Sequence, residues 1–238
     1  MIKLISNPTE EHLADIESWL VEEWNKTQNG FYSDWSMIPN AFKENRLSVI
    51  TDNDYAIGFV VYRISEFEVD IDITEIKPTE RNRGVARQLI NETLNFLKLK
   101  GVLVARLFCQ PTNSEPFWKK IGFNNFPQII DNKQIHMFKP LIETLKPTEK
   151  IETNSTIRLW NCPPHQADRI SAKWAWDLNF KEDNETLVKP IISPVSREWQ
   201  VQLIINGEES KPVRVKNLQI NLNDDSEFMI VRNVTAKK

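Results

Sequence analysis

The sequence predicts an α+β fold over residues 1–145, a mixed central sheet flanked by helices, followed by a small all-β sandwich or barrel over residues 151–238. Three observations carry this. A strand, a turn, a helix and a second strand succeed one another from Val69 to Cys109, the order of a βαβ unit whose crossover is right-handed and whose strands are parallel. Leu145-Lys146-Pro147-Thr148-Glu149-Lys150 is polar and carries a proline, so residues 146–150 read as a linker. Beyond them apolar residues recur at period two, with no long helical pattern.

The elements follow in order. Asn7-Pro8-Thr9-Glu10 reads as a helix start, with Asn as cap, Pro first and Glu third. Leu13, Ile16, Leu20, Val21 and Trp24 then hold one face. Gly30-Phe31-Tyr32-Ser33-Asp34-Trp35 breaks the pattern. Strands are expected at Leu47–Thr51, Tyr55–Ile64 and Glu66–Ile76. The helix after Gly84 puts Ala86, Leu89, Ile90, Thr93, Leu94 and Leu97 on one face and ends at Gly101. An apolar strand, Val102–Cys109, comes next; a hairpin around Asp131-Asn132-Lys133 leads to a last strand, Ile135–Lys139. In the second part Ala172, Trp174 and Trp176 alternate, as do Trp199, Val201 and Leu203. Gly207-Glu208-Glu209-Ser210 reads as a turn before Val213 and Val215, and Phe228, Ile230 and Val234 suggest a final strand.

Composition narrows the function classes. Of 238 residues 40% are hydrophobic and 26% charged, enough apolar material for real cores. No window has the apolar length of a membrane span, and the first residues do not resemble a signal peptide. Two cysteines, Cys109 and Cys162, give no disulfide framework, so a cytoplasmic location is expected. Residues 1–150 hold 18 basic and 21 acidic side chains, and residues 151–238 hold 12 of each, so nucleic-acid and membrane partners are not expected.

The most informative run is Ile76-Lys-Pro-Thr-Glu-Arg-Asn-Arg-Gly-Val-Ala86. A strand stops at a proline, and a glycine opens a helix whose first N–H groups have no partner, with arginines alongside; that is a cradle for a phosphate. A Walker loop would need Gly-Lys-Ser/Thr, and a dinucleotide fingerprint a third glycine; neither is present. The order Arg81-x-x-Gly84-x-Ala86 resembles the acetyl-CoA pyrophosphate loop of the GNAT superfamily of N-acetyltransferases. Ile57-Gly58-Phe59, after the Asp52-Asn53-Asp54 turn, resembles the hairpin before that family's cofactor strand. Asn113 through Phe123 resembles its second cofactor segment, an Asn followed by a short helix ending in Gly-Phe. The resemblance covers residues 1 to about 145.

It implies acetyl-CoA as co-substrate, held by Glu75, Ile76, Arg81, Asn82, Arg83, Gly84, Val85, Ala86 and Arg87, with Asn113 and Trp118 along the pantetheine arm. It also implies an oxyanion donor among the backbone N–H groups of Thr74 to Ile76, where the strand splays from its neighbour. A protonated amine cannot attack a thioester, and a lysine-like amine is neutral at pH 7 only to the order of one part in a thousand. A base is therefore needed. Asp70, Asp72 and Thr74 alternate onto one strand face, and either carboxylate could accept the proton; equally, that face is simply acidic, as Glu66, Glu68 and Glu75 around it are. Where many relatives carry a tyrosine that protonates the thiolate, this chain has Trp118, whose indole is a donor but not an acid; Tyr62, Cys109 or water could stand in.

Other residues read as ordinary. His12 and His136 fit surface positions, and Cys162-Pro-Pro-His165 has no second ligand pair, so no metal site is expected. The loop at Gly30–Trp35 is either an acceptor wall or an aromatic-anchored turn. The expected function is acetyl transfer to a primary amine on a small molecule, peptide or protein. The alternative is a non-catalytic CoA-binding or interaction protein whose β domain binds a partner, and self-association is compatible with both.

Overall fold

The computed structural model describes residues 1–127, 134–167, 170–218 and 227–234. It divides into two compact units, Met1–Ile142 and Glu143–Lys238.

The first unit is built on a seven-stranded sheet in the order β1-β2-β3-β4-β5-β7-β6. Its elements are β1 (Ile2–Ile5), α1 (Glu10–Thr27), α2 (Met37–Lys43), β2 (Leu47–Asp52), β3 (Tyr55–Ser65), β4 (Glu68–Ile76), α3 (Val85–Leu99), β5 (Val104–Phe108), α4 (Glu115–Lys120), β6 (Asn124–Asn125) and β7 (His136–Pro140). All neighbours are antiparallel except β4 and β5, the pair joined by the α3 crossover. Each face has its own core. Ile16, Trp19 and Leu20 of α1 and Ile38 of α2 pack with Val49, Phe59, Val61 and Ile73. Leu89, Ile90, Leu94 and Leu97 of α3 pack on the opposite face with Val60, Tyr62, Val69, Ile71, Ala105 and Leu107.

The cap of α1 differs from expectation. Thr9 is the capping residue, and the Nδ1 atom of His12 accepts its N–H at 3.0 Å, so the helix starts two residues later than Asn7-Pro8 suggested. The buried face of α1 also includes Trp19 and Glu23. The α3 face is as expected, with Val85 added at its start. The expected hairpin at Asp131-Asn132-Lys133 lies outside the described residues.

The second unit contains β8 (Thr156–Trp160), the short α5 (Pro164–Ala167), β9 (Trp174–Asp177), β10 (Thr186–Pro194), β11 (Gln200–Ile205), β12 (Glu208–Glu209), β13 (Val213–Arg214) and β14 (Phe228–Asn233). One sheet runs β12-β11-β8-β9 with β13 also on β11, and β10 pairs with β14 in a second. Ile157, Leu159, Trp176 and Val201 of the first sheet share one core with Leu187, Ile191, Met229 and Val231 of the second. Of the period-two tryptophans, Trp176 is buried in this core, while Trp174 and Trp199, partly buried against it, stack at 5.6 Å. The expected turn at Gly207–Ser210 is shifted. Asn206 and Gly207 form it, both at positive φ, and Glu208 and Glu209 already pair with Ile205 and Ile204. The expected linker is likewise corrected: Leu145 donates to Pro190 O and Thr148 to Ala175 O, at 2.9 and 2.8 Å, which ties this polar stretch into the second unit.

Candidate active site

The geometry of β4 organises the site. From Glu68 to Ile71 it is paired on both sides, to β3 and to Val104–Leu107 of β5. Beyond Ile71 the pairing to β5 stops, while pairing to β3 continues to Gly58↔Ile76. The sheet is therefore open along the last five residues of β4. Gly58 makes this end possible: a Cβ there would lie 2.4 Å from Ile76 Cδ1 and 3.1 Å from the Glu75 carbonyl oxygen. On the far bank of the opening, Phe108 is 40% exposed and its ring lies 5.6 Å from that of His136.

A register shift in the β3–β4 ladder leaves Asp72 without a cross-strand partner. Ile71 consequently packs with the α3-side core and Ile73 with the α1-side core. The expected common face of Asp70, Asp72 and Thr74 does not survive this bulge. Thr74 lies opposite Val60, whose side chain belongs to the α3-side core, and its hydroxyl is buried with no hydrogen-bond partner. Glu75 lies opposite Phe59, on the α1 side.

The two aspartates are each held by an arginine. Arg63 donates two bonds to Asp72, both at 2.8 Å. Arg106 grips Asp70 through Nε and Nη2.

Glu75 has a different environment. Arg81 Nη2 donates to Glu75 Oε1 at 2.9 Å and to Glu23 Oε1 and Oε2 at 2.7 and 3.0 Å, so a single nitrogen serves two carboxylates. Both are largely enclosed, with side-chain exposures of 8% for Glu23 and 17% for Glu75. Gly30 closes over Glu23: a Cβ there would sit 3.3 Å from Glu23 Oε2. Burial pushes the Glu75 carboxyl above its ordinary value; the guanidinium of Arg81 opposes this and the charge of Glu23 adds to it. Sequence reasoning missed Glu23, although an acid at the spacing of Ile16, Trp19 and Leu20 was the available signal.

The backbone of the open stretch is also informative. Lys77 donates its N–H to Ile57 O at 2.9 Å, and N–H groups alternate along a strand, so those of Ile76 and Thr74 point away from β3 towards the opening. The Ile76 N–H is held by Glu75 Oε1 at 3.1 Å.

The loop expected to cradle a phosphate leads from here into α3. Arg81 Nε donates to Ile76 O at 2.9 Å, which folds the loop back on the strand, and its guanidinium is engaged with the two glutamates rather than standing over the helix. Asn82 and Gly84 have positive φ, +64° and +82°. Gly84 is the N-cap of α3 and supplies no side-chain cap, and the first turn of α3 holds no acid. The earliest helical bond is from Gln88 N to Gly84 O at 3.1 Å, so the N–H groups of Val85, Ala86 and Arg87 have no partner in the helix. No atom lies within 4 Å of a Cβ built on Gly84, so the space above the turn is open. Arg83, paired with Glu80, and Arg87 are exposed beside it.

The second expected cofactor segment is only partly as read. Asn113 is exposed in a 3-10 turn, Thr112–Ser114. Trp118, expected along the pantetheine arm, is buried in the α3-side core, edge-on to Phe117 at 5.1 Å and to Phe123 at 5.2 Å. Tyr62 is 2% exposed, and burial pushes its phenol up. Cys109 is buried, with Sγ 3.3 Å from Ser114 Oγ. Neither stands at the opening as an acid. Cys162 packs with Trp160 and Ala172, and burial raises its thiol, while His165 is exposed. No helix among the described residues is long and apolar enough to cross a membrane.

Residues 10–123 match the family model described as Acetyltransferase (GNAT) family. No curated protein matches the chain. Among solved structures, it is similar to an N-acetyltransferase from Thermoplasma acidophilum in complex with coenzyme A, with 20% identity, 59% of this chain and 99% of that chain covered, and a TM-score of 0.49. It is also similar to a GNAT-family acetyltransferase from Bacillus cereus, with 16% identity, 60% and 99% covered, and a TM-score of 0.47. The ribosomal-protein alanine N-acetyltransferase of Escherichia coli shares 17% identity, with 64% and 100% covered and a TM-score of 0.43. The end of β4, the turn after it and α3 all lie inside the matched segment, so the GNAT-family match falls on the same residues of the N-terminal unit as the resemblance read from the sequence.

Proposed function

We propose that this protein is an acetyl-CoA-dependent N-acetyltransferase that passes the acetyl group to a primary amine by direct attack on the thioester. The observation that carries the reading is the uncapped start of α3 at the mouth of the open β4 edge. The N–H groups of Val85, Ala86 and Arg87 would take the pyrophosphate, and Arg83 and Arg87 would add positive charge. The positive φ of Asn82 and Gly84 bends the chain into the first turn of α3. The open edge of β4 would receive the pantetheine arm, and the Ile76 or Thr74 N–H would meet the thioester oxygen as charge develops on it.

The acceptor reads as a cationic amine, on a small molecule or on a peptide or protein. The acidic excess of residues 1–150 and the two enclosed glutamates beside the opening support that sign. The second unit has no evident part in the chemistry and is assigned to acceptor choice or self-association.

Calorimetry with acetyl-CoA tests the reading. Gly84→Glu puts a carboxylate into the cradle at a backbone angle that disfavours any side chain. Its affinity should fall about 100-fold or more, about 2.7 kcal/mol. Unchanged affinity in a variant whose circular dichroism is native would overturn the loop assignment.

A further inference from the structure

Building on the acyl-transfer reading above, we propose that Glu75 takes the proton from the incoming amine, with Glu23 and Arg81 as the residues that position it. Of the four carboxylates of β4, Glu68 is buried at the fully paired end, which leaves Asp70, Asp72 and Glu75 to compete for this role. Asp70 and Asp72 are each gripped by two donors of one arginine, so protonating either would weaken a two-pronged ion pair. Glu75 shares one guanidinium nitrogen with Glu23, and the three-residue group carries a net charge of −1 in a largely enclosed place. An arriving proton relieves carboxylate repulsion there and leaves the Arg81–Glu23 pair intact.

Position favours Glu75 as well. It lies on the open reach of β4 and on the α1 face, where Glu23 from α1 and Arg81 from the loop are the charged groups that meet it; its partner on β3 is Phe59. Its Oε1 also holds the Ile76 N–H. A carboxylate accepts a hydrogen bond more strongly than a carboxylic acid does. Protonation of Glu75 therefore loosens its hold on the amide just when an oxyanion forms. Generating the nucleophile and freeing the oxyanion donor become one event.

The proton count closes. The ammonium gives one proton to Glu75. The neutral amine's lone pair forms the C–N bond at the thioester carbon, and collapse of the tetrahedral intermediate breaks the C–S bond. The thiolate takes the second amine proton, directly or through water, and the third stays on the amide nitrogen. Glu75 returns its proton to solvent.

The test compares two kinds of nucleophile. Hydroxylamine is neutral near pH 7 and needs no base, whereas an alkylamine does; spermidine, tyramine and a peptide with a free N-terminus serve as alkylamine probes. Glu75→Gln should lower turnover of whichever alkylamine the wild type acetylates fastest by about 10² to 10⁴, and lower hydroxylamine turnover far less. Affinity for acetyl-CoA should be kept, and Glu75→Asp should recover part of the rate together with the acid limb of the pH profile. Equal losses for both nucleophiles would mean a structural role, and an unchanged rate with an unchanged acid limb would mean that another group is the base; either overturns the assignment. A wild type that binds acetyl-CoA yet acetylates no probe, hydroxylamine included, instead overturns the acyl-transfer reading itself, and the role of Glu75 with it.

Discussion

The two halves of β4 differ by one missing neighbour, and the difference separates architecture from chemistry. As far as Ile71 the strand has partners on both sides, and Asp70 is matched by Arg106 across the β4–β5 pair. Past Ile71 one side is open, a backbone N–H is held by a side chain instead of a strand, and two glutamates divide one arginine. Groups whose partners are complete gain little from any further change. Groups whose partners are shared can respond to a proton or a ligand. The first half of the strand therefore reads as scaffold and the second as site.

The largest expected effect lies on the packed side of this division. If Trp118 is scaffold, Trp118→Ala should cost about 3–5 kcal/mol of stability, because a large buried ring between Phe117 and Phe123 would be replaced by a cavity. Chemical denaturation measures it. A loss well under 1 kcal/mol accompanied by a marked fall in acetyl-CoA affinity would return Trp118 to the ligand surface.

A smaller effect tests the aspartates. Asp70→Asn and Asp72→Asn should each cost about 1 kcal/mol or less, since the pairs are partly solvent-screened, with side-chain exposures of 60% for Arg63 and 24% for Arg106. Turnover should stay within a few-fold of the wild type. A fall of about 100-fold or more in either variant, with acetyl-CoA affinity kept, would move the base into the paired half or onto the bulge and erase the contrast.

Much of this was legible in the sequence, for reasons that are local. The phosphate turn needs only a strand end, a proline and a glycine with positive φ, and these are neighbours in the chain. The face of α3 follows from its own period. What could not be read depends on partners remote in sequence. The bulge at Asp72 exists only against β3, and it overturns the simple alternation that put Asp70, Asp72 and Thr74 together. The tie between Arg81 and Glu23 spans 58 positions, and no motif announces it. Trp118 occupies a motif position, yet its environment is set by Phe123 and the core of the α3 face. The displaced turn at Asn206-Gly207 was a nearer miss: the dipeptide that favours a two-residue hairpin was present, one residue upstream of the expected turn.

The smallest expected effect uses a carboxylate that stands opposite to Glu75 in character. Asp183 of the second unit accepts the N–H groups of Glu185 and Thr186 at 3.0 and 2.8 Å. Hydrogen bonding from the Thr186 side chain, and then from those two backbone groups, holds its carboxyl down at about 2. Glu75 is pushed up because its burial outweighs its donors, and Asp183 is pulled down because its donors are complete and nothing buries it. The signs for stability follow. A carboxyl lower in the folded than in the unfolded chain stabilises the fold above its ordinary value of 3.8, and that contribution fades as pH falls towards about 2. Asp183→Asn should therefore lower the melting midpoint slightly and evenly from neutral pH down to about 4, and the gap should close below that. Glu75→Gln should show the reverse: the ionised, buried carboxyl opposes folding at neutral pH, so the variant gains stability there, and its advantage shrinks on acidification as the wild-type Glu75 takes up its proton. Paired melting curves across this range read both. If the two variant-minus-wild-type differences had the same sign at neutral pH, satisfied donors and burial would not be what separates these carboxylates.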